Sequence, residues 1–189
     1  SVLDEETCTL MDFNVDQGGA TQFVYVLPYS SNEALIELTR FGKKKIDIEM
    51  AENALKNYIN QHYGAFEVKQ VERGMIPMFL DMPRSNQSKR IVPIGTRAHM
   101  VKPSTGYAFK NMYEHAKTLS AETGKSRRAR TSSTRFKFYD RLLILILAIW
   151  PKKGKPIFSR LFGSKSLPDI LRFLDEKTSI KEDLHMFSK

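Results

Sequence analysis

Two stretches of this sequence carry side chains whose types and spacing could do chemistry. The first centres on Glu37, in the run Ala34 to Thr39, ALIELT. On strand alternation Leu35, Glu37 and Thr39 share one face, while Ile36 and Leu38 share the other. Taken by themselves, these residues leave two environments open for Glu37. It is either a solvated carboxylate on the polar side of an amphipathic strand, or a carboxyl group in an apolar tunnel. In the tunnel its pKa is raised and it can carry a proton. The second stretch is GTRAHMVKPSTGYAF, Gly95 to Phe109. A glycine after an apolar run lets a ligand approach the backbone, and Pro103 sets a loop. Thr96, Ser104 and Thr105 add hydroxyls, and amides near Gly106 and Tyr107 point outward from a helix start. Such a set suits an electron-rich edge, a pyrophosphate or a ring carbonyl. The same residues also make an ordinary structural turn.

The elements that must position them follow from period and punctuation. Residues 8–15 and 23–27 read as strands, the second ended by Pro28 and the polar turn Ser30-Ser31-Asn32. Residues 34–39 return as a third strand, giving an antiparallel meander. Asp47 then caps a helix with Ile48, Ala51, Leu55, Tyr58 and Ile59 on one face, stopped by Gly64. Phe66, Val68 and Gln70 begin another strand, closed near Gly74 and Pro77. The short run 91–95 leads as a strand into the Pro103 loop and a helix from Tyr107 to about Leu119. Residues 120–134 are rich in Ser, Thr, Lys and Arg and read as an exposed loop. From Phe136 to Trp150 the chain is helical and oily until Pro151, and another helix follows Pro168.

The bulk composition narrows the class. With 189 residues, 41% hydrophobic and 27% charged, the chain is long enough for a folded core. One cysteine, Cys8, excludes an intramolecular disulfide and fits a reducing compartment. It also leaves no recognisable zinc spacing with His62, His99, His115 and His185, so no metal is expected. The first residues are acidic and carry no secretory pattern, and a cytoplasmic location is expected. Thirty Lys and Arg against twenty-one Asp and Glu give a net charge of +9. Such a surface is drawn to nucleic acid or to an anionic membrane face, although any one basic cluster is also simply a solvated surface. No zinc finger, RNA-binding aromatic signature or helix-turn-helix accompanies the clusters, so nucleic acid is not expected. Leu142 to Trp150 is nine residues, against the roughly 20 that span a bilayer. It fits either a buried core helix or a helix in the membrane interface, with Trp150, Lys152 and Lys153 at its end.

The order of residues from Gly95 adds a resemblance. Gly95-Thr96, Ala98-His99, Pro103 and Gly106 are similar to the second flavin-binding segment of the flavoprotein monooxygenase-like superfamily, with Thr96 where that superfamily has aspartate. The run KPSTGY, and FVYVLPYSSNEALIELT from Phe23 to Thr39, resemble flavin-dependent lycopene cyclases of the bacterial and plant type. Further matches are LMDF (Leu10 to Phe13), ERGMIPM (Glu72 to Met78), RFKFYD (Arg135 to Asp140) and RFLDEKT (Arg172 to Thr178). Together they cover nearly the whole chain. In that family an acidic pair precedes the threonine and its first acid is essential. Glu37 holds that position, and Leu38 stands where the second acid usually is.

The resemblance implies an α+β chain: an antiparallel substrate-domain sheet, a returning strand-loop-helix of an FAD-binding domain, and a helical C-terminal region. The expected parts are residues 1–78, part of the substrate-binding sheet with one helix, and 79–120, the C-terminal part of the FAD-binding domain. An exposed basic loop (121–135) and the helical region (136–189) complete them. The expected reaction is a non-redox acid–base cyclisation of lycopene to cyclic end groups of the β-ionone type, an isomerisation with Glu37 as acid or base. Reduced FAD, kept so by NADPH, would be contacted by Gly95, Thr96, Pro103, Ser104, Thr105, Gly106 and Tyr107. No GxGxxG motif for the ADP portion of FAD occurs here. The expectation is therefore a fragment, or else one half of a split enzyme, lacking an amino-terminal FAD-binding half, inactive alone, from a protein peripheral to the membrane. Two alternatives remain: another lipid-modifying flavoenzyme, either a monooxygenase or a reductase, and a non-enzymatic basic membrane-binding module.

Overall fold

The computed structural model describes residues 3–78, 91–121 and 133–188. Among them the chain is α+β, with one three-stranded antiparallel sheet and six α-helices. It divides into two compact units, residues 1–73 with 146–160, and residues 74–145 with 161–189.

The first unit is built on the meander β1 (Thr9–Asp12), β2 (Thr21–Ser30) and β3 (Glu33–Phe41), in that spatial order. β2 pairs with β3 from Thr21 opposite Phe41 to Ser30 opposite Glu33. Contrary to the sequence reading, Pro28 does not end β2. It lies beyond Val26, the last β2 residue paired with β1, and next to an irregularity in the β3 register. There β2 has a neighbour on one side only, where proline is tolerated. One face of the hairpin, with Val24, Val26, Ile36 and Leu38, packs against Tyr58 and Ile59 of α1 (Ile48–His62). Asp47 caps that helix as its sequence suggests, accepting from the Met50 amide. Tyr58 donates to Asp12 at 2.7 Å. Burial first, then that bond, raises the tyrosine hydroxyl above its ordinary pKa.

On the other face Phe13, Phe23 and Phe41 are buried together with Phe158 of α4 (Gly154–Ser164). Phe158 stacks between Phe13 (6.2 Å) and Phe41 (5.9 Å). Residues 151–158 are fastened there by Thr21, whose hydroxyl donates to the Pro151 carbonyl at 2.6 Å, and by Lys155, which donates to the Phe13 carbonyl. The strand expected from Phe66 is absent. Phe66, Val68 and Val71 are exposed, and residues 66–73 are held by the surface pairs Lys69–Glu33 and Arg73–Glu52, both 2.8 Å. Exposed pairs of this kind cannot replace a strand ladder.

In the second unit residues 91–94 make no strand among the described residues. Pro93 lacks an amide, and Ile91, Val92 and Ile94 are exposed with no strand beside them. A single 3-10 turn, Gly95–Ala98, follows. α2 spans Phe109–Ala121 and so starts two residues later than expected, because the Tyr107 carbonyl accepts from the Lys102 amide and closes a loop instead. Most of the expected basic loop, residues 122–132, lies outside the described residues. α3 (Thr134–Ile149) starts earlier than the sequence suggests, with the Ser133 carbonyl already accepting from the Lys137 amide. It stops before Pro151 as expected. α5 (Leu167–Leu174) carries Pro168 in its first turn behind the cap Ser166. α6 (Ile180–Phe187) opens with a capping box between Ser179 and Glu182. The Ser179 amide, then its hydroxyl and Arg172, lower the Glu182 carboxyl to a pKa of about 2. Ala98, Met100, Phe136, Ile170 and Met186 are buried apolar residues of this unit, and the Phe173 ring meets both Phe136 (5.7 Å) and, edge-on, Phe187 (5.5 Å).

The approach of α4 to the sheet leaves no room for a side chain at Gly154, where a Cβ would overlap Thr21. Gly154→Ala should destabilise the chain by about 1–3 kcal/mol. Gly163→Ala, in open space on the same helix, should leave stability unchanged or raise it by up to about 1 kcal/mol. Urea unfolding of the two variants should therefore shift in opposite directions or by clearly different amounts.

Candidate functional site

The two sequence-selected stretches fall in different units, Glu37 in the first and Gly95 to Tyr107 in the second. Each is a local arrangement of its own.

Glu37 stands directly opposite Tyr25 in the β2–β3 pairing, with Leu27 opposite Leu35 on one side and Phe23 opposite Thr39 on the other. Directly paired residues point to the same face of a sheet. The Glu37 face is thus mostly apolar and aromatic around this carboxylate, with Glu33, two alternations away on β3, paired to Lys69 at the hairpin end. At the Phe23 end it is closed by the phenylalanine cluster. At the other end Leu27, Leu35 and Glu37 are exposed. The Thr39 hydroxyl donates to Oε1 of Glu37 at 2.7 Å, which fixes the carboxylate over the sheet. The Tyr25 ring stands edge-on to Phe23 at 5.0 Å. Burial, and then the neighbouring Glu37 charge, raise the Tyr25 hydroxyl pKa, so it stays protonated and available as a donor near neutral pH. Leu38 belongs to the opposite face, in the layer beneath α1.

The Gly95–Tyr107 stretch folds as two consecutive turns. Gly95 has φ +58° and Gly106 φ +74°, backbone that side-chain-bearing residues rarely adopt. The Gly95 turn is closed by the His99 and Met100 amides, leaving the leading amides of Gly95, Thr96 and Arg97 with no carbonyl inside the turn to accept them. The second turn closes through Gly106 N–H to the Lys102 carbonyl (2.9 Å) and Lys102 N–H to the Tyr107 carbonyl (2.8 Å). Thr105 Oγ1 accepts from the Tyr107 amide, and Pro103, between two buried neighbours, is half-buried. Thr96 is half-buried too. Ser104 is 2% exposed and its hydroxyl donates to Asp140. Burial, then the Asp175 carboxylate that it hydrogen-bonds, raises the Tyr107 hydroxyl pKa.

This donor set fits a polar-edged ligand. The Ser104 and Tyr107 hydroxyls turn toward the protein. Contrary to the sequence reading, the Gly106 and Tyr107 amides are used inside the loop, together with those of Lys102 and Thr105. The donors left to a ligand are therefore the leading amides of the Gly95–Ala98 turn and the half-buried Thr96 hydroxyl, beside the exposed Arg97. A flavin ring or ribityl chain can use such donors. Among the described residues no group of three or more His, Cys, Asp and Glu could hold a metal ion, and no helix is long and apolar enough to cross a membrane.

Sequence reasoning passed over Lys102, Asp140, Asp175 and Glu176. Lys102 is 5% exposed, a position lysine rarely takes unpaired. Its Nζ lies 3.0 Å from Asp140 and 3.3 Å from Glu176, and 5.5 Å from the centre of the Phe136 ring. Lys110 pairs with Asp175 beside it. The motifs that contain these acids were visible, but partners 38 to 74 residues apart were not.

The family model described as lycopene cyclase protein matches residues 1–189. The chain belongs to the lycopene cyclase family. It is 30% identical over 121 residues to a lycopene beta-cyclase of Paracoccus sp. (strain N81106 / MBIC 01143), 61% of this chain and 31% of that protein. To the chloroplastic/chromoplastic lycopene beta cyclase of Narcissus pseudonarcissus it is 38% identical over 103 residues, 52% of this chain and 18% of the relative. To the lycopene beta-cyclase of Pantoea ananas it is 31% identical over 116 residues, 59% and 30% of the two chains. The matched part is thus less than a third of each relative. No solved structure matches the chain.

For this lycopene cyclase family chain the hairpin alternation gives Leu38 a definite role. An acid at position 38 would not join Glu37, because the two point to opposite faces. Leu38→Glu should therefore place a carboxylate against Val24 and Tyr58 and destabilise the chain by about 1–3 kcal/mol. A fall in the urea midpoint checks this. An unchanged midpoint would place residue 38 on the Glu37 face instead.

Proposed function

We propose that this chain contributes the acid–base residue and part of the flavin contact of an enzyme that cyclises lycopene. The observation that carries the reading is the setting of Glu37. Its carboxylate stands beside Tyr25, Leu27 and Leu35, steadied by Thr39, in a chain of the lycopene cyclase family.

Glu37, acting as the acid, would give a proton to the terminal double bond of the polyene. The adjacent cation is attacked by a neighbouring double bond, closing the ring, and loss of one proton to a base fixes the product. One proton enters and one leaves, so the mass does not change and no electrons are transferred. Thr39 would orient the carboxylate, and Leu27, Leu35 and Tyr25 would keep water from the cation. Gly95 and Thr96 would contact the flavin by backbone amides and the Thr96 hydroxyl, and the Lys102–Tyr107 loop that follows would pack against it. The ADP portion of FAD would be held by residues outside this sequence. Reduced FAD, with NADPH as its electron source, would supply an electron-rich face toward the cation. A β-ionone ring is the proposed product.

Expression of the complete reading frame in lycopene-accumulating bacteria tests the reading. A cyclic pigment of the same mass is expected, and Glu37→Gln should lower its formation by on the order of a hundredfold or more. Wild-type yield from Glu37→Gln would remove the acid–base role. A product of altered mass would point to an oxygenation or reduction. Salt-sensitive binding to polyanions without any flavin requirement would favour a basic module.

An apolar C40 substrate dissolves in lipid, and the net charge of +9 favours an anionic surface. We propose peripheral membrane docking, with Phe138, Leu142 and Leu145, all exposed at i, i+4 and i+7 of α3, entering the interface. Leu142→Glu with Leu145→Glu should weaken binding to anionic liposomes about tenfold or more. Unchanged liposome affinity from a folded double variant would show that this face does not dock there.

A further inference from the structure

Three runs that are far apart in sequence meet in one buried charge network. KPSTGY supplies Lys102 and Ser104, RFKFYD supplies Arg135, Phe136 and Asp140, and RFLDEKT supplies Asp175, Glu176 and Thr178. Lys102 Nζ sits between Asp140 (3.0 Å) and Glu176 (3.3 Å), with its side chain only 4% exposed. Ser104 donates to the same Asp140 oxygen that faces Lys102. Lys110, at the start of α2, pairs with Asp175. The far side of the turn is held by Arg135, which donates to the Thr178 carbonyl, and by Asp183, which is fully buried and accepts from Thr178 at 2.6 Å. Glu176 itself has φ +60°, a left-handed conformation in which glycine is the usual residue. A strained glutamate in a glycine position calls for a reason, and its carboxylate reaches Lys102.

We infer that Lys102 and Glu176 are positioning residues, and that the Asp175–Thr178 turn is a clamp that presets the Lys102–Tyr107 loop for its ligand. The inference rests on the reading of that loop as a flavin contact. Lys102 would act without touching the ligand, because its charge is turned inward to Asp140 and Glu176. Buried charges cannot be parted without leaving one unpaired, so the loop keeps one conformation before the cofactor arrives. A preset loop binds more tightly, because ordering is not charged against binding.

Glu176→Gly tests this in the enzyme expressed from its complete reading frame. It removes the carboxylate and relieves the backbone, while Lys102 keeps Asp140 as a one-to-one partner, so the melting temperature should hold. FAD affinity, read by flavin fluorescence on the apoenzyme, should fall about tenfold, and saturating FAD should restore wild-type turnover. Lys110→Met, at a half-exposed position, should act in the same direction with a smaller loss. Wild-type FAD affinity in both variants would overturn the inference while leaving the flavin reading intact. A loss of turnover that saturating FAD does not repair, in step with a lower melting temperature, would reduce the network to a fold-holding role and overturn it as well. A wild-type enzyme that binds no FAD would remove the flavin reading itself, and the clamp with it.

Discussion

The pairing of β2 with β3 decides what each residue of the hairpin faces, and most of the first unit depends on it. With Val24 opposite Leu38 and Tyr25 opposite Glu37, the aliphatic residues enter the layer beneath α1 and the carboxylate goes to the other side. Because side chains alternate with a period of two, a slip of one residue would exchange the faces. Glu37 would then lie under α1, and Leu38 would meet the open surface. The register is secured at both ends, by the two-residue turn after Ser30 and by the phenylalanines that meet Phe158. The same packing that builds the core therefore places the acid.

In the second unit charge does what the sheet does in the first. The Lys102–Tyr107 loop has few apolar residues to anchor it, and Met100 is the nearest deeply buried one along the chain. Its position is defined by a cation between two acids and by a hydroxyl on one of them. Such a device gains little stability over an apolar contact of the same volume, since desolvating the ions offsets most of their attraction. What it does supply is direction, because Lys102 has to reach both Asp140 and Glu176.

The parts of this fold that were legible in the sequence are those governed by local rules. Asp47 capping α1, the polar turn before β3, the stop at Pro151 and the oily helix before it all depend on neighbours a few residues away. The errors arose where the deciding partner was remote or missing. Phe66 and Val68 look like strand residues, but a strand needs a partner, and none of the described residues offers one. Pro28 looks like a terminator, yet where it lies β2 is flanked on one side only. Glu37 and the Gly95–Tyr107 run were picked out by residue type and order, while their settings were not. The Thr39 bond to Glu37 follows from strand alternation. The inward turn of Ser104 depends on Asp140, 36 residues later, and no local pattern announces it.

The contact of Gly154 with Thr21 makes the first unit discontinuous along the chain. Residues 1–73 hold the sheet, but the ring that closes its aromatic face arrives only with Phe158. During synthesis, which proceeds from the amino terminus, Phe13, Phe23 and Phe41 must therefore wait, uncovered, while more than a hundred further residues are made. Neither unit can be released by one cut in the chain. A truncation after residue 73 would yield a sheet with a sticky aromatic side, prone to self-association, rather than a smaller copy of the same domain.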